Sequence, residues 1–170
     1  MRTGRAVAAL AVLLALLFAV SPAMAEIPAP SRAFYFLDQA NVLSNSTKLE
    51  IVFFNHLLYS WCRAQIVVVV VNTLDGVSID EYALELFNRW GIGDGKKNNG
   101  LLLVMSIDDD DYYTIPGMGI TEVFTVEVLK ETLERCLEPH FAARHYDAGV
   151  KAWFEDVLAR MIDTQGTMNP

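Results

Sequence analysis

The chain has 170 residues, 53% of them hydrophobic and 20% charged, a balance that excludes intrinsic disorder and fits one domain. Residues 1–25 read as an export signal whose only charges are Arg2 and Arg5, so the remaining 145 residues carry 11 basic and 21 acidic side chains and a net charge of −10. Nucleic-acid backbones would repel such a surface, and nucleic acid is excluded as a partner.

The signal has a basic start at Arg2 and Arg5, an apolar run from Ala6 to Val20, and the cleavage pattern Ala23-Met24-Ala25 before Glu26. That run is about 15 residues where a membrane span needs about 20, and Pro22 interrupts its end. No Cys follows the cleavage site to carry a lipid, and no second run reaches spanning length. The mature chain is therefore expected to be extracytoplasmic, periplasmic or secreted, with no transmembrane span. Asn45-Ser46-Thr47 matches a glycosylation acceptor, of consequence only in a eukaryotic secretory pathway.

Pro28 and Pro30 mark an extended lead-in, and Phe34 to Leu37 reads as a short edge strand before Asp38. Ser44 is placed to cap a first helix running through Trp61. Its apolar residues occupy more than one face. Phe53, Phe54, Tyr59 and Trp61 are expected chiefly in the core, with a partner interface as the second reading. The run Ile66 to Val71 has the continuous β-branched character of a strand buried on both faces of a parallel sheet, so helices must cover both sides. Ser78-Ile79-Asp80-Glu81 reads as a capping box opening a second helix with Ala83, Leu86, Phe87 and Trp90 on its apolar stripe. Gly91 closes that helix, a loop expected to be mobile runs to Gly100, and Leu101 to Ile107 is the next strand. Asp108 to Asp111 is a turn and Tyr112 to Ile115 the returning strand of a hairpin. Pro116-Gly117-Met118-Gly119 is a tight loop, and Thr125 to Leu137 a third helix expected to stop before Pro139. A fourth helix runs from about Asp147 to Ile162, and residues 164–170 are expected to form a flexible tail. The predicted fold is α/β, a three-layer α/β/α sandwich with a small mixed sheet, over residues 26–163.

Asp108, Asp109, Asp110 and Asp111 are the densest candidate for chemistry. Four adjacent carboxylates at the end of a buried strand lie near where open α/β sheets bind ligands, and a hard cation such as calcium would relieve their repulsion. A solvated turn explains the same residues, because Asp suits turns and stays hydrated there. The metal reading needs Asp38 and Glu122 to converge on the hairpin, giving the set Asp38, Asp108, Asp109, Asp110 and Glu122. The loop Gly91 to Lys97 is not a phosphate loop: it follows a helix, lacks the required spacing, and has no Ser or Thr after its lysines. Nucleophile motifs are absent, and His56, His140 and His145 have no zinc spacing. An oxidising compartment would allow Cys62 and Cys136 to bridge; buried small hydrophobes are the alternative.

Three segments together are similar to the TPM domain family: Leu37-Asp38-Gln39-Ala40-Asn41-Val42-Leu43-Ser44, Ala64-Gln65-Ile66-Val67-Val68-Val69, and Glu85-Leu86-Phe87-Asn88-Arg89-Trp90-Gly91-Ile92-Gly93 with Asn99-Gly100-Leu101-Leu102-Leu103-Val104. The stretches Glu138-Pro139-His140-Phe141 and Tyr146-Asp147-Ala148-Gly149 resemble the family's last helices. The resemblance implies an extracytoplasmic α/β/α domain, often with bound calcium, and it points to Asp38 and the acidic hairpin. It leaves the task open, since members include a thylakoid-lumen protein with acid-phosphatase activity, a photosystem II repair factor and an accessory subunit of an acetylcholine-gated channel. This chain departs from the family at Gly117-Met118-Gly119-Ile120-Thr121-Glu122, after which an expected aspartate is missing.

Two functions follow as expectations. One is an exported accessory or interaction module for an envelope or membrane protein partner, with calcium as a cofactor. The other is a metal-dependent phosphomonoester hydrolase in which Asp38 and Asp109 hold a divalent cation and Arg89, Lys96 and Lys97 are the basic groups near enough in sequence to receive phosphate. The net charge of −10 disfavours an anionic substrate.

Overall fold

The computed structural model describes residues 26–168, so the expected signal, residues 1–25, lies outside the described residues. A four-stranded sheet runs in the order β1 (Phe36–Asp38), β2 (Gln65–Val71), β3 (Gly100–Ser106), β4 (Asp111–Pro116). The first three strands are parallel and β4 returns antiparallel. Every residue of β2 and β3 is buried. Their side chains alternate between two cores: Ile66, Val68, Val70, Leu101, Leu103 and Met105 face one layer, and Val67, Val69, Val71, Leu102 and Val104 face the other.

The first layer holds α1 (Asn45–Cys62), α3 (Val126–Thr132), α4 (Glu138–Ala142) and α5 (Tyr146–Met168). The second holds α2 (Ile79–Trp90), with Ile27 at its margin. This is the expected α/β/α sandwich with a mixed sheet. The strands step in one direction while α1 and α2 lie on opposite faces. One of the two crossovers is therefore left-handed, against the usual right-handed rule.

Local signals held at some ends and failed at others. Ser44 caps α1 by accepting from the Thr47 amide at 3.2 Å. Ser78 stands at the N-cap of α2, but its side chain makes no capping bond. Its hydroxyl serves the Asp80 carboxylate and holds that carboxyl below the usual range. The helical path does not stop before Pro139. A π turn, Leu133–Leu137, sends the Glu138 N–H five residues back to the Leu133 carbonyl and leads directly into α4, with Pro139 in its first turn. A widened turn moves the preceding carbonyls away from the proline ring, and a first-turn proline has no amide bond to lose. α5 continues past Ile162 to Met168, into the stretch expected to be loose. Cys62 and Cys136 are both buried and free, and burial pushes both thiols up.

β1 reaches only Val68 to Val70 of its neighbour, which leaves the start of β2 without a strand on that side. Asn55, fully buried in α1, takes the missing strand's place. Its amide nitrogen donates to the Ile66 carbonyl and its oxygen accepts from the Ile66 amide, both at 2.8 Å. Buried backbone groups left without partners cost about 1–3 kcal/mol each. Asn55→Ala should therefore destabilise the protein by about 2–4 kcal/mol in urea unfolding, and Asn55→Asp at neutral pH should cost at least as much, because it buries a carboxylate against the Ile66 carbonyl.

Candidate functional site

The carboxyl ends of the three parallel strands, Asp38, Val71 and Ser106, form one rim. The chain leaves β1 toward the α1 layer and leaves β2 toward the α2 layer. Diverging connections of this kind open a crevice outside the strand ends. The rim does bring Asp38 and the acidic hairpin to the same side of the sheet. Gln39 donates to the Val70 carbonyl, Ile107 to Val71 and Asp108 to Asn72, which knits the three loops together at their bases. Beside them lies an open cleft of about 440 Å³ lined by Leu74, Gly76, Val77, Ser78, Asp80 and Asp109 among others.

Asp38, whose side chain is almost wholly buried, and Asp109, which is exposed, are both engaged with protein donors on this rim. Asp38 accepts from the Val42 amide at 3.1 Å and the Leu43 amide at 3.0 Å, and Lys48 pairs with it at 2.8 Å while only 1% of its side chain is exposed. It fixes the turn between β1 and α1. Asp147, at the start of α5, accepts from the Ser44 amide at 2.8 Å and ties α5 to the same turn. Asp109 accepts from the Ser106 hydroxyl at 2.5 Å, the Leu74 amide at 2.7 Å and the Thr73 hydroxyl at 3.2 Å. These bonds, Ser106 foremost, hold its carboxyl below the usual range. Asp108 and Asp110 are exposed, and Asp110 takes the left-handed backbone of the turn at φ 54°.

Glu122 is not part of this rim. Because β4 runs antiparallel, Asp111 pairs with Ser106 and Pro116 with Leu101, so everything after Pro116 starts from the opposite rim, about 20 Å away at strand spacing. Gly119 there donates to the Asn98 carbonyl. The set Asp38, Asp108, Asp109, Asp110 and Glu122 therefore does not assemble. Among the described residues no three acidic, histidine or cysteine side chains lie close enough to hold a metal ion. The donors do not fit a preformed calcium site.

The opposite rim is where the glycine-rich segments meet. A Cβ on Gly119 would lie 1.7 Å from the Lys97 carbonyl oxygen, and one on Gly117 would lie 2.2 Å from that of Asn98. Backbone packs on backbone there, which only glycine permits. The loop expected to be mobile is fastened: Asp94 accepts from the Lys96 and Lys97 amides, Gln65 from Gly93, and Asn99 donates to the Cys62 carbonyl. Lys97 also donates to that carbonyl at the end of α1. Arg89, near the end of α2, pairs with Glu85. The basic residues expected to receive phosphate thus sit at the far rim from the aspartates.

A third feature went unnoticed in the sequence. β4 is an edge strand, and an open groove of about 600 Å³ runs between it and α3, with Tyr112, Thr114, Phe124 and Leu129 in its lining. Gly117 donates inward to Gly100, so by antiparallel alternation Tyr112 and Thr114 turn their backbone groups outward. At one end the Tyr112 hydroxyl donates to Glu138. Hairpin and breaker signals mark the strand, but only the sheet order makes it an edge.

Two expectations test the assignment of these carboxylates to structure. Asp38→Ala should cost about 3 kcal/mol or more, because it frees two amides and strands Lys48, whereas Asp110→Asn should stay within about 0.5 kcal/mol, since Asn tolerates the same backbone; chemical denaturation reads both. Asp109 is ionised more easily folded than unfolded, so its contribution is present above the unfolded value of about 3.9 and fades as pH falls through the lower folded value. Melting temperature followed down to strongly acidic pH should fall less steeply below pH 4 in Asp109→Asn than in the parent.

The TPM domain model matches residues 36–160. No curated protein matches the chain. Solved structures similar to it include the N-terminal domain of a protein from P. gingivalis, 24% identical with a TM-score of 0.70, covering 76% of this chain and 83% of that one. The BA42 protein of Bizionia argentinensis is 16% identical with a TM-score of 0.60 over 71% of this chain and 82% of that one. The N-terminal domain of the cg2496 protein from Corynebacterium glutamicum is 16% identical with a TM-score of 0.56 over 85% and 90%. At these identities the structural neighbours speak for the fold alone, and the match over residues 36–160 places the chain in the TPM domain family.

Proposed function

We propose that the protein is an exported accessory module that binds an envelope partner, and that it is not a hydrolase. One observation carries this reading: the rim aspartates and the basic groups Arg89, Lys96 and Lys97 lie at opposite rims of the sheet. A phosphomonoester hydrolase needs a metal or a nucleophile together with positive groups that receive the phosphate. Here Asp38 and Asp109 hold backbone amides, Lys48 is paired to Asp38, and Arg89, Lys96 and Lys97 belong to the far end. No helix among the described residues is long and apolar enough to cross a membrane, in keeping with a partner that is met rather than a bilayer that is spanned. The groove along β4 supports the same reading. An extended segment laid beside β4 would pair with the outward backbone of Thr114 and rest on the exposed Val126, the Tyr112 amide being already held by the Asp111 carboxylate.

Calcium has no step in this reading, because the donor set does not fit it. Only the exposed carboxylates of the hairpin turn are left to a cation, and a ligand that does not bind the native state selectively does not raise its stability. Melting temperature should therefore be the same in calcium and in chelator, and p-nitrophenyl phosphate should not turn over at pH 5 to 8. A calcium shift abolished by Asp38→Asn, or turnover abolished by Asp38→Asn with Asp109→Asn, would reinstate the metal site. A photoreactive residue at Val126, which is 77% exposed in the groove, should give one discrete cross-linked partner in the source envelope, and the same residue at Glu81 on the α2 layer should not.

A further inference from the structure

The outer face of α1 was expected chiefly in the core, and the structure places much of it in water. Leu49, Phe53, Leu57 and Trp61 are 70%, 60%, 51% and 46% exposed. They recur every fourth residue, so they form one ridge that winds along the helix. The ridge ends in an apolar cleft of about 510 Å³ between α1 and α5, lined by Leu57, Trp61, Leu158 and Ile162 among others. The other exposed residues of this helix are Asn45, Ser46, His56 and Ser60, none of them a carboxylate, lysine or arginine. Lys48 and Glu50 are turned to Asp38 and Lys151. The ridge itself carries no charged side chain; the nearest are the Glu50–Lys151–Glu155 ion pairs on its α5 side and Arg63 just past the helix end, which stacks on Tyr59.

We infer that this face joins two copies of the chain in a two-fold dimer. Residues 26–170 carry a net charge of −10, so two copies approach closely only through a face that sets no like charges against each other at the contact. The ridge is also self-complementary. Leu49 and Trp61 lie equally far on either side of Asn55, as do Phe53 and Leu57 nearer the middle. A two-fold axis there sets Trp61 of each copy against Leu49 of the other and Phe53 against Leu57, the reciprocal pairing that an isologous interface requires. With Ile162, itself 43% exposed, these side chains leave roughly 500 Å² open per copy, so the pair buries about 1,000 Å² of apolar surface before any polar rim is counted, the level at which a specific interface begins.

Other occupants fit less well. An anionic bilayer would repel the acidic surface, and the face has no lysines to offset that. The first described residues are held elsewhere: Trp90 donates to the Pro28 carbonyl and Ile27 packs in the α2 layer, on the other side of the sheet.

Sedimentation equilibrium from low-micromolar to sub-millimolar concentration tests the dimer. The protein should reach twice its monomer mass. Leu57→Lys should weaken association by about 100-fold or more, as a buried unpaired charge does at an interface, with an unchanged circular dichroism spectrum and, at concentrations low enough for the parent to be monomeric as well, an unchanged melting transition. Leu84→Lys is the control: Leu84 is 51% exposed on α2, so the same change on the other layer should leave the dimer intact. A monomer at every concentration overturns the inference, as does a dimer that survives Leu57→Lys. So does a monomer that floats with phosphatidylcholine vesicles in a Trp61-dependent manner, which would make a lipid surface the occupant. None of these outcomes bears on the groove beside β4, which is probed separately at Val126.

Discussion

Two central strands buried on both faces leave their polar backbone without access to water, and the side chains that meet those groups organise the rest of the molecule. β2 and β3 bond to each other along their length, but β1 covers only three residues of β2. The gap at Ile66 is filled by Asn55. At the next residue back, Gln65 turns its side-chain oxygen to Gly93, and Asn99 donates to the last carbonyl of α1. An amide side chain offers a donor and an acceptor on one short stem, so it can stand in for a strand where a strand is missing. The cost of leaving such groups unpaired, several kcal/mol when summed, is comparable to the net stability of a domain this size.

The same demand accounts for the acidic residues. Asp38 and Asp109 sit at strand ends, where the chain turns away and its amides lose their ladder partners. A short carboxylate suits such places: Asp38 accepts two of these amides, and Asp109 accepts one together with two hydroxyls. From the sequence these residues are equally good metal ligands, because calcium and amide protons ask for the same oxygens. Occupancy separates the two roles: Asp38 meets two amides and Lys48, and Asp109 meets one amide and two hydroxyls, which leaves each carboxylate fewer lone pairs for a cation. On the proposed reading the rim is a structural knot, and the exposed surfaces carry the function.

Those surfaces follow from the uneven covering of the sheet. One layer is a single helix with a clean apolar stripe, and the other is four helical segments that overlap and enclose most of the large aromatic core. α1 lies in the thicker layer yet shows a second apolar face outward, beyond anything the sheet needs. β4 closes the sheet on one side with its backbone facing a groove rather than another strand. A fold that serves unlike tasks across its family can do so by changing what these two exposed features meet, while the buried sheet stays the same.

The sequence by itself determined the layers. The six β-branched residues Ile66 to Val71 read as a strand covered on both sides, Ser44 marked the start of α1, and the glycine segments were legible as a helix end and a tight loop. These are local facts, set by side-chain period, backbone freedom and caps. Partnership was decided by the tertiary structure alone. The antiparallel return of β4 moved Glu122 to the rim opposite Asp38, the π turn let the helix pass Pro139, and burial of one face of α1 left Phe53 and Trp61 in water. Each depends on contacts between residues far apart in the chain, whose register and facing no local pattern encodes.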